Sequence, residues 1–349
     1  MRVALDATPL SGGTGGVPRY VRELRRGLES LGHIDSYLYL TDQAVEGALG
    51  PGDSWLERKW WLAGLPLALR RARVDVFHGT EFAVPYVQVC ATVLSLHDLS
   101  PWMDPTWHGA GVERVRRRTP WLLKLGLATM VLTLSEAVRR RAIERFGLRP
   151  ERVVAVPLAA PAWMRPVPME PEQEPYFLYV GTLEPRKNLP MLVEAWREVR
   201  TRHRVRLVLA GRRREDGPVF QSGDGLEVLG PVSEERLLAL YSGALAVVYP
   251  THYEGFGLPV VEAMQCGAPV VTSTDESVVE VSGGAAMHCA ATETGEWVTA
   301  LARMVHDAAW REELQKRGLA RAALFNWERT ARETLEVYKS AERFHRGPV

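Results

Sequence analysis

Residues 245–264 read LAVVYPTHYEGFGLPVVEAM. The opening run, Leu245–Tyr249, is apolar, β-branched at Val247 and Val248, and of strand length. Leu258–Met264 reads as a helix, with Pro259 in its first turn, where a missing N–H costs no helical bond. Between them lies a loop that carries Glu254, Gly255 and Gly257. Strand, loop and helix in that order make the repeating unit of a parallel sheet with helical crossovers.

The rest of the chain repeats the unit. Arg2–Ala7, Ser36–Leu40, Val74–His78, Thr92–Leu96, Met130–Leu134 and Val153–Val156 read as strands. Val17–Leu31 places Val17, Tyr20, Val21, Leu24, Leu28 and Leu31 on one helical face. Ser135–Phe146 is a helix with Ser135 as cap and Gly147 as stop. A Pro-rich stretch, Pro157 to Pro175, then breaks the pattern and reads as a linker. Beyond it the strands are Tyr176–Val180, Val205–Ala210, Leu226–Leu229, Leu245–Tyr249 and Pro269–Thr272. The helices are Leu189–Thr201, Ser233–Ser242, Leu258–Met264, Gly295–Asp307, Trp310–Leu324 and Glu328–Phe344. The expected class is α/β, with two Rossmann-like doubly wound domains, 1–165 and 166–327, facing across a cleft where ligands bind.

Composition agrees. The chain has 349 residues, 46% hydrophobic and 24% charged, which is ordinary for a globular protein. Its net charge of +1 offers no dense basic surface for nucleic acid. Residues 1–165 hold 22 basic and 16 acidic side chains, so the N-terminal half is the one suited to an anionic partner. Cys90, Cys266 and Cys289 are scattered, which excludes a disulfide framework and favours a reducing, cytoplasmic setting. No signal peptide or membrane span is legible.

Four places carry chemistry. The first loop, Ser11-Gly12-Gly13-Thr14-Gly15-Gly16, lies between a strand and a helix and lets the backbone approach an anion. Gly13-Thr14-Gly15 also begins a dinucleotide fingerprint, with Asp42 placed as its ribose acid, but Pro18 stands where the third glycine belongs. His97 ends a strand, where it can donate a hydrogen bond or shuttle a proton. Residues 181–188, GTLEPRKN, set Arg186 and Lys187 just before a helix, where they can neutralise a leaving diphosphate. In the opening stretch, Gly255 and Gly257 bare the N–H groups of a helix entry, and Glu254 and Glu262 can bind hydroxyls on either side of it.

The Glu254–Glu262 pair resembles the E-x7-E motif of retaining GT-B glycosyltransferases of family 4, the group 1 glycosyl transferases. The Ser135–Pro157 block, the GTLEPRKN loop, Gly230-Pro231-Val232-Ser233 and Trp327 with its helix extend the resemblance over nearly the whole chain. It implies that Arg186 and Lys187 bind the donor diphosphate and that Glu254 holds the donor sugar. It implies that the Gly255, Phe256, Gly257 and Leu258 backbone meets sugar and phosphate, that Glu262 holds the ribose, and that Val232 lies near the base. Gly15 and Gly16 would approach the donor, and His97 the transferred sugar. The last helix, 328–349, would cross back to the N-terminal domain. The first loop reads Gly16-Val17-Pro18-Arg19-Tyr20 where similar members often have Gly-Ile-Gly-Arg-Tyr, so one N–H is missing.

The expected function is transfer of a sugar, with retention, from a nucleoside diphosphate sugar to a glycan or lipid-linked acceptor. The first loop leans toward bacterial mannosyl-type enzymes using GDP-mannose in polysaccharide assembly. No cofactor or metal is expected, because the Arg186–Lys187 pair can take a metal's place. Trp55, Trp60 and Trp61 among Arg58, Lys59, Arg70 and Arg71, and Trp121 after Arg114 and Arg116–Arg118, suit either ordinary domain helices or peripheral contact with an anionic inner membrane face. The alternatives are an NAD(P)-dependent oxidoreductase, resting on Gly13-x-Gly15 and Asp42, and a non-catalytic sugar-nucleotide-binding protein.

Overall fold

A computed structural model describes residues 1–12, 15–34, 36–169 and 174–347. Gly13 and Thr14 of the first loop, and part of the Pro-rich stretch, lie outside them. The chain divides into two compact units.

The first unit is built from β1 (Arg2–Asp6), α1 (Gly16–Leu31), β2 (Ser36–Leu40), α2 (Leu65–Arg71), β3 (Val76–Gly79), β4 (Ala91–Leu96), α3 (Glu113–Lys124), β5 (Met130–Thr133), α4 (Glu136–Phe146) and β6 (Val153–Ala155). Its sheet has the order β2-β1-β3-β4-β5-β6, all parallel. The order reverses between β1 and β3, the point where such sheets open a crevice at their carboxyl ends. β4 is buried along its whole length, as a strand covered on both faces must be. Ser135 caps α4 by accepting from Val138 N–H, and Gly147 ends it in the left-handed region.

The second unit contains β7 (Tyr176–Val180), α5 (Leu189–Arg200), β8 (Arg206–Ala210), β9 (Leu226–Gly230), α6 (Glu234–Gly243), β10 (Ala246–Tyr249), α7 (Leu258–Gln265), β11 (Val270–Ser273), α8 (Glu276–Ser282), β12 (Met287–Cys289), α9 (Thr294–His306) and α10 (Ala308–Ala322). Its parallel sheet runs β12-β11-β10-β7-β8-β9, so the reversal falls between β7 and β10. Neither α8 nor β12 stands out in the sequence, because each is too short to show a period. The division falls at Leu158/Ala159 rather than at 165/166, and Met103–Gly109 groups with the second unit.

The chain then returns to the first unit as α11 (Trp327–Arg346). Its buried residues Thr330, Ala331, Thr334, Leu335, Tyr338 and Ala341 recur every three or four positions and pack on α1. Gly27 permits the close approach: a Cβ there would lie 2.9 Å from both Ala331 Cβ and the Trp327 carbonyl oxygen.

The aromatic stretch before α2 divides between core and surface. Trp60 begins a π-helical turn (Trp60–Gly64) and is buried with Leu40, Leu65, Leu69 and Phe77. Trp60 is therefore a core residue, unavailable to a membrane. Trp55 and Trp121 remain exposed, at 74% and 49%. No helix among the described residues is long and apolar enough to cross a membrane.

Candidate active site

The site-bearing loops of the second unit flank its reversal point. The loop after β7 turns through a 3-10 segment, Pro185–Lys187, and Asn188 takes the left-handed conformation at the start of α5. Pro185 supplies the fixed φ for this turn. The turn buries both cations, Arg186 at 8% exposure and Lys187 at 6%. The loop after β10 brings Glu254, 7% exposed, against them.

Burying these charges is tolerable only because they satisfy one another. Lys187 Nζ donates to Glu254 Oε1, and to the Tyr249 hydroxyl at 2.9 Å. Arg186 Nη1 lies 3.2 Å from the same Oε1 and donates to the Tyr253 carbonyl at 2.6 Å. Arg186 Nη2 donates to Glu184 at 2.8 Å. The Thr251 and Tyr249 hydroxyls donate to Glu254 Oε1 at 2.9 and 3.1 Å. Among the described residues every partner of Glu254 is on Oε1, which leaves Oε2 for a further donor. Burial works against the Glu254 charge, but Arg186 and Lys187 outweigh it and hold the carboxyl down at about 2. Burial, with Arg186 alongside, also pushes the Lys187 ammonium down despite Glu254.

Gly257 is the N-cap of α7, with φ of 88° and no side-chain cap on the helix. The first N–H groups of such a helix point outward with a partial positive charge. Gly255, Phe256 and Leu258 line this entry; Phe256 is buried with its ring edge-on to Phe325. Glu262 lies one turn into α7, buried, and accepts from the Tyr241 hydroxyl at 2.9 Å. Val232 is half-buried on the loop between β9 and α6, where Ser233 caps the helix. The structure thus brings Arg186, Lys187 and Glu254 into direct contact, and sets Glu262 in the helix that this loop enters.

Four partners escaped the sequence reading. Glu184 stands inside the motif but reads there only as a turn residue. Tyr249 and Thr251 read as strand end and loop. Arg214, which pairs with Glu184 at 2.6 Å, stands in a run of three arginines (Arg212–Arg214) with no signal to single it out.

His97 and the first loop belong to the first unit. His97 Nε2 lies 2.6 Å from the Thr80 carbonyl oxygen, which can only accept, so Nε2 carries the proton. Burial lowers its affinity for a second proton. Gly15 is the N-cap of α1 with φ of 132°, and Gly16 begins the helix. Pro18 lies in the first turn, so the N–H it lacks is one that the helix would leave unpaired. Asp42 is exposed beyond the end of β2.

Two units, each with a six-stranded parallel sheet of doubly wound order, have the architecture of GT-B transferases. The sequence matches the family described as Glycosyltransferase Family 4 over residues 14–162, and Glycosyl transferases group 1 over 164–321. It is 35% identical to O-antigen chain mannosyltransferase B of Escherichia coli over 292 residues, covering 78% of this chain and 76% of that one. Sucrose-phosphate synthase from Thermosynechococcus elongatus superposes with a TM-score of 0.74 at 20% identity, over 97% of this chain and 98% of that one. The Anabaena protein HepE, solved with UDP and glucose, superposes with a TM-score of 0.75 at 16% identity, over 97% and 100%. The chain belongs to the group 1 glycosyltransferases of family 4, and it is a glycosyltransferase enzyme.

Proposed function

We propose that the enzyme moves a sugar from a nucleoside diphosphate sugar, with retention at the anomeric carbon, to a glycan or lipid-linked acceptor. The observation that carries this reading is the contact of Arg186 and Lys187 with Glu254 beside the uncapped start of α7. Two cations and a helix N-terminus stabilise the charge that develops on a departing diphosphate. They do so without a metal, so activity is expected to survive a chelator. Glu254 Oε2 accepts hydroxyls of the donor sugar, Glu262 binds the ribose, and Val232 packs near the base. We also assign Gly15 and Gly16 to the donor and His97 to the transferred sugar. The acceptor hydroxyl attacks on the face the diphosphate leaves.

Mannose from GDP-mannose is the donor we favour, because the Escherichia coli relative is named a mannosyltransferase of O-antigen chains. The acceptor then belongs to polysaccharide assembly, at the cytoplasmic side. Trp121 stands edge-on to Tyr86, whose N–H bonds the Trp61 carbonyl, and Arg118 lies over the Trp61 ring. Trp121 is exposed while Trp61, Tyr86 and Arg118 are half-buried beneath it, so Trp121 is the residue here offered to a lipid-linked acceptor or an anionic membrane.

The experiment is thermal denaturation with saturating UDP, GDP, ADP, dTDP, NAD or NADP. A ligand at 100 times its Kd adds about 2.7 kcal/mol. A shift with GDP alone supports the reading. A shift with another diphosphate corrects the base, and a shift with NAD or NADP alone overturns the reading.

A further inference from the structure

Residues Met103–Gly109 lie in sequence between β4 and α3 of the first unit, yet their contacts place them in the second. Asp104 shapes the segment: its carboxylate accepts from Thr106 N–H at 2.8 Å and from the Thr106 hydroxyl at 2.6 Å. The turn that follows, Pro105–Trp107, packs against the Pro185–Lys187 turn that carries both site cations. The Trp107 ring is nearly parallel to Tyr253 (6.1 Å, 14°) and to His252 (6.3 Å, 6°).

The backbone of Trp107 is also engaged. Its carbonyl accepts from Arg214 Nη2. Arg214 Nη1 donates to Glu184 Oε2 at 2.6 Å, and Arg186 donates to Glu184 Oε1 at 2.8 Å. Arg186 in turn donates to the Tyr253 carbonyl at 2.6 Å, and Tyr253 stacks back on Trp107. The contacts close a ring: Trp107, Arg214, Glu184, Arg186, Tyr253. Asp216 orients Arg214 from outside it, at 2.5 and 3.0 Å. A closed ring of directional contacts constrains each member more than an open chain does, because no single bond can swing away alone.

We infer that Trp107, Arg214 and Glu184 are positioning residues for the donor site, holding the Arg186 guanidinium and the Tyr253–Glu254 loop in register. The inference rests on the donor-site reading above. Arg is required at 214 because its planar fork spans a carbonyl and two carboxylates, which an ammonium cannot do. The ring of Trp107, not its carbonyl, is what a substitution removes.

The test uses the full chain with Trp107→Ala, Trp107→Phe, Arg214→Ala and Arg214→Lys. In the ligand-free protein, amide hydrogen exchange is expected to speed up at 185–188 and 252–256 in both alanine variants, and otherwise only in the substituted segments 103–109 and 212–216. In transfer assays the alanine variants are expected to lose about tenfold to a hundredfold in kcat. Trp107→Phe restores most of it and Arg214→Lys little, while Kd for the bare nucleoside diphosphate rises by clearly less than kcat falls. Unchanged exchange at both segments overturns the inference. So does a general rise in exchange with a lower Tm and equal losses in kcat and nucleotide binding. A wild-type protein that binds no nucleoside diphosphate refutes the donor-site reading, and the exchange result still decides the ring.

Discussion

Glu254 sits where two cations and two hydroxyls converge on one carboxylate oxygen. Glu254→Gln keeps the shape and removes the charge, so turnover is expected to fall about a hundredfold. Full activity on every donor would remove its proposed role. Lys187→Ala leaves Glu254 buried with Arg186 as its sole cation. Breaking a buried pair costs about 3 kcal/mol, which urea denaturation reads directly. In the assay the same change should lower kcat, since the ammonium matters most as charge develops on the leaving group. A change in acceptor KM alone would contradict that. At this scale the type and spacing of Arg186, Lys187, Glu254 and Glu262 single them out as candidates, and the structure brings the first three into contact. Arg214, Tyr249 and Trp107 were silent, because nothing in their neighbourhoods distinguishes them from surface or core residues.

At the scale of elements, most strands and helices were legible within a residue or two. Tyr176–Val180 matches its strand end to end, and α4 starts and stops at the cap and glycine read from the sequence. Short elements and three-dimensional close approaches were not legible. Gly27 reads as a weak point in a helix, where alanine would add about 1 kcal/mol by propensity. The structure reverses the sign. The added Cβ would meet the backbone of α11 at 2.9 Å, and overpacking of that kind costs about 1–3 kcal/mol. Gly27→Ala is therefore expected to lower the urea midpoint, and a raised midpoint would show that α11 can slide. The first loop gives the opposite lesson. Pro18, read as a departure from the family pattern, occupies a helix turn that needs no N–H from it.

At the scale of the molecule, α11 is joined to the first sheet by a buried polar chain. Tyr338 and Ser95 bond the two nitrogens of His78 at 2.7 and 2.8 Å, and the Tyr20 hydroxyl meets Ser95 at 3.0 Å. Burial, with His97 nearby, pushes His78 down to about 3 from an ordinary 6.5. Between these values the unfolded chain holds a proton that the folded chain refuses. The folded state therefore loses about 1.4 kcal/mol per pH unit on acidification from 6.5 toward 3. Asp6, raised by burial to about 6, offsets part of this, since the folded chain holds its proton between 3.8 and about 6. The clean reading is the slope difference between wild type and His78→Gln, measured by urea denaturation at several pH values. Equal slopes would mean that His78 titrates normally. At the same scale, flotation with anionic liposomes at low salt tests the Trp121 patch, and no binding removes the membrane from the account.

The sequence by itself determined the class of fold and the family, and it singled out the main charged residues of the candidate site. Those follow from local periodicity and from motifs whose members lie close along the chain. The tertiary structure decided which of these charges touch, which glycine is needed for close packing, that Trp60 is core, and that Met103–Gly109 groups with the second unit. These depend on contacts between residues far apart in the chain, and no pattern along a single segment records which distant partner a side chain will meet.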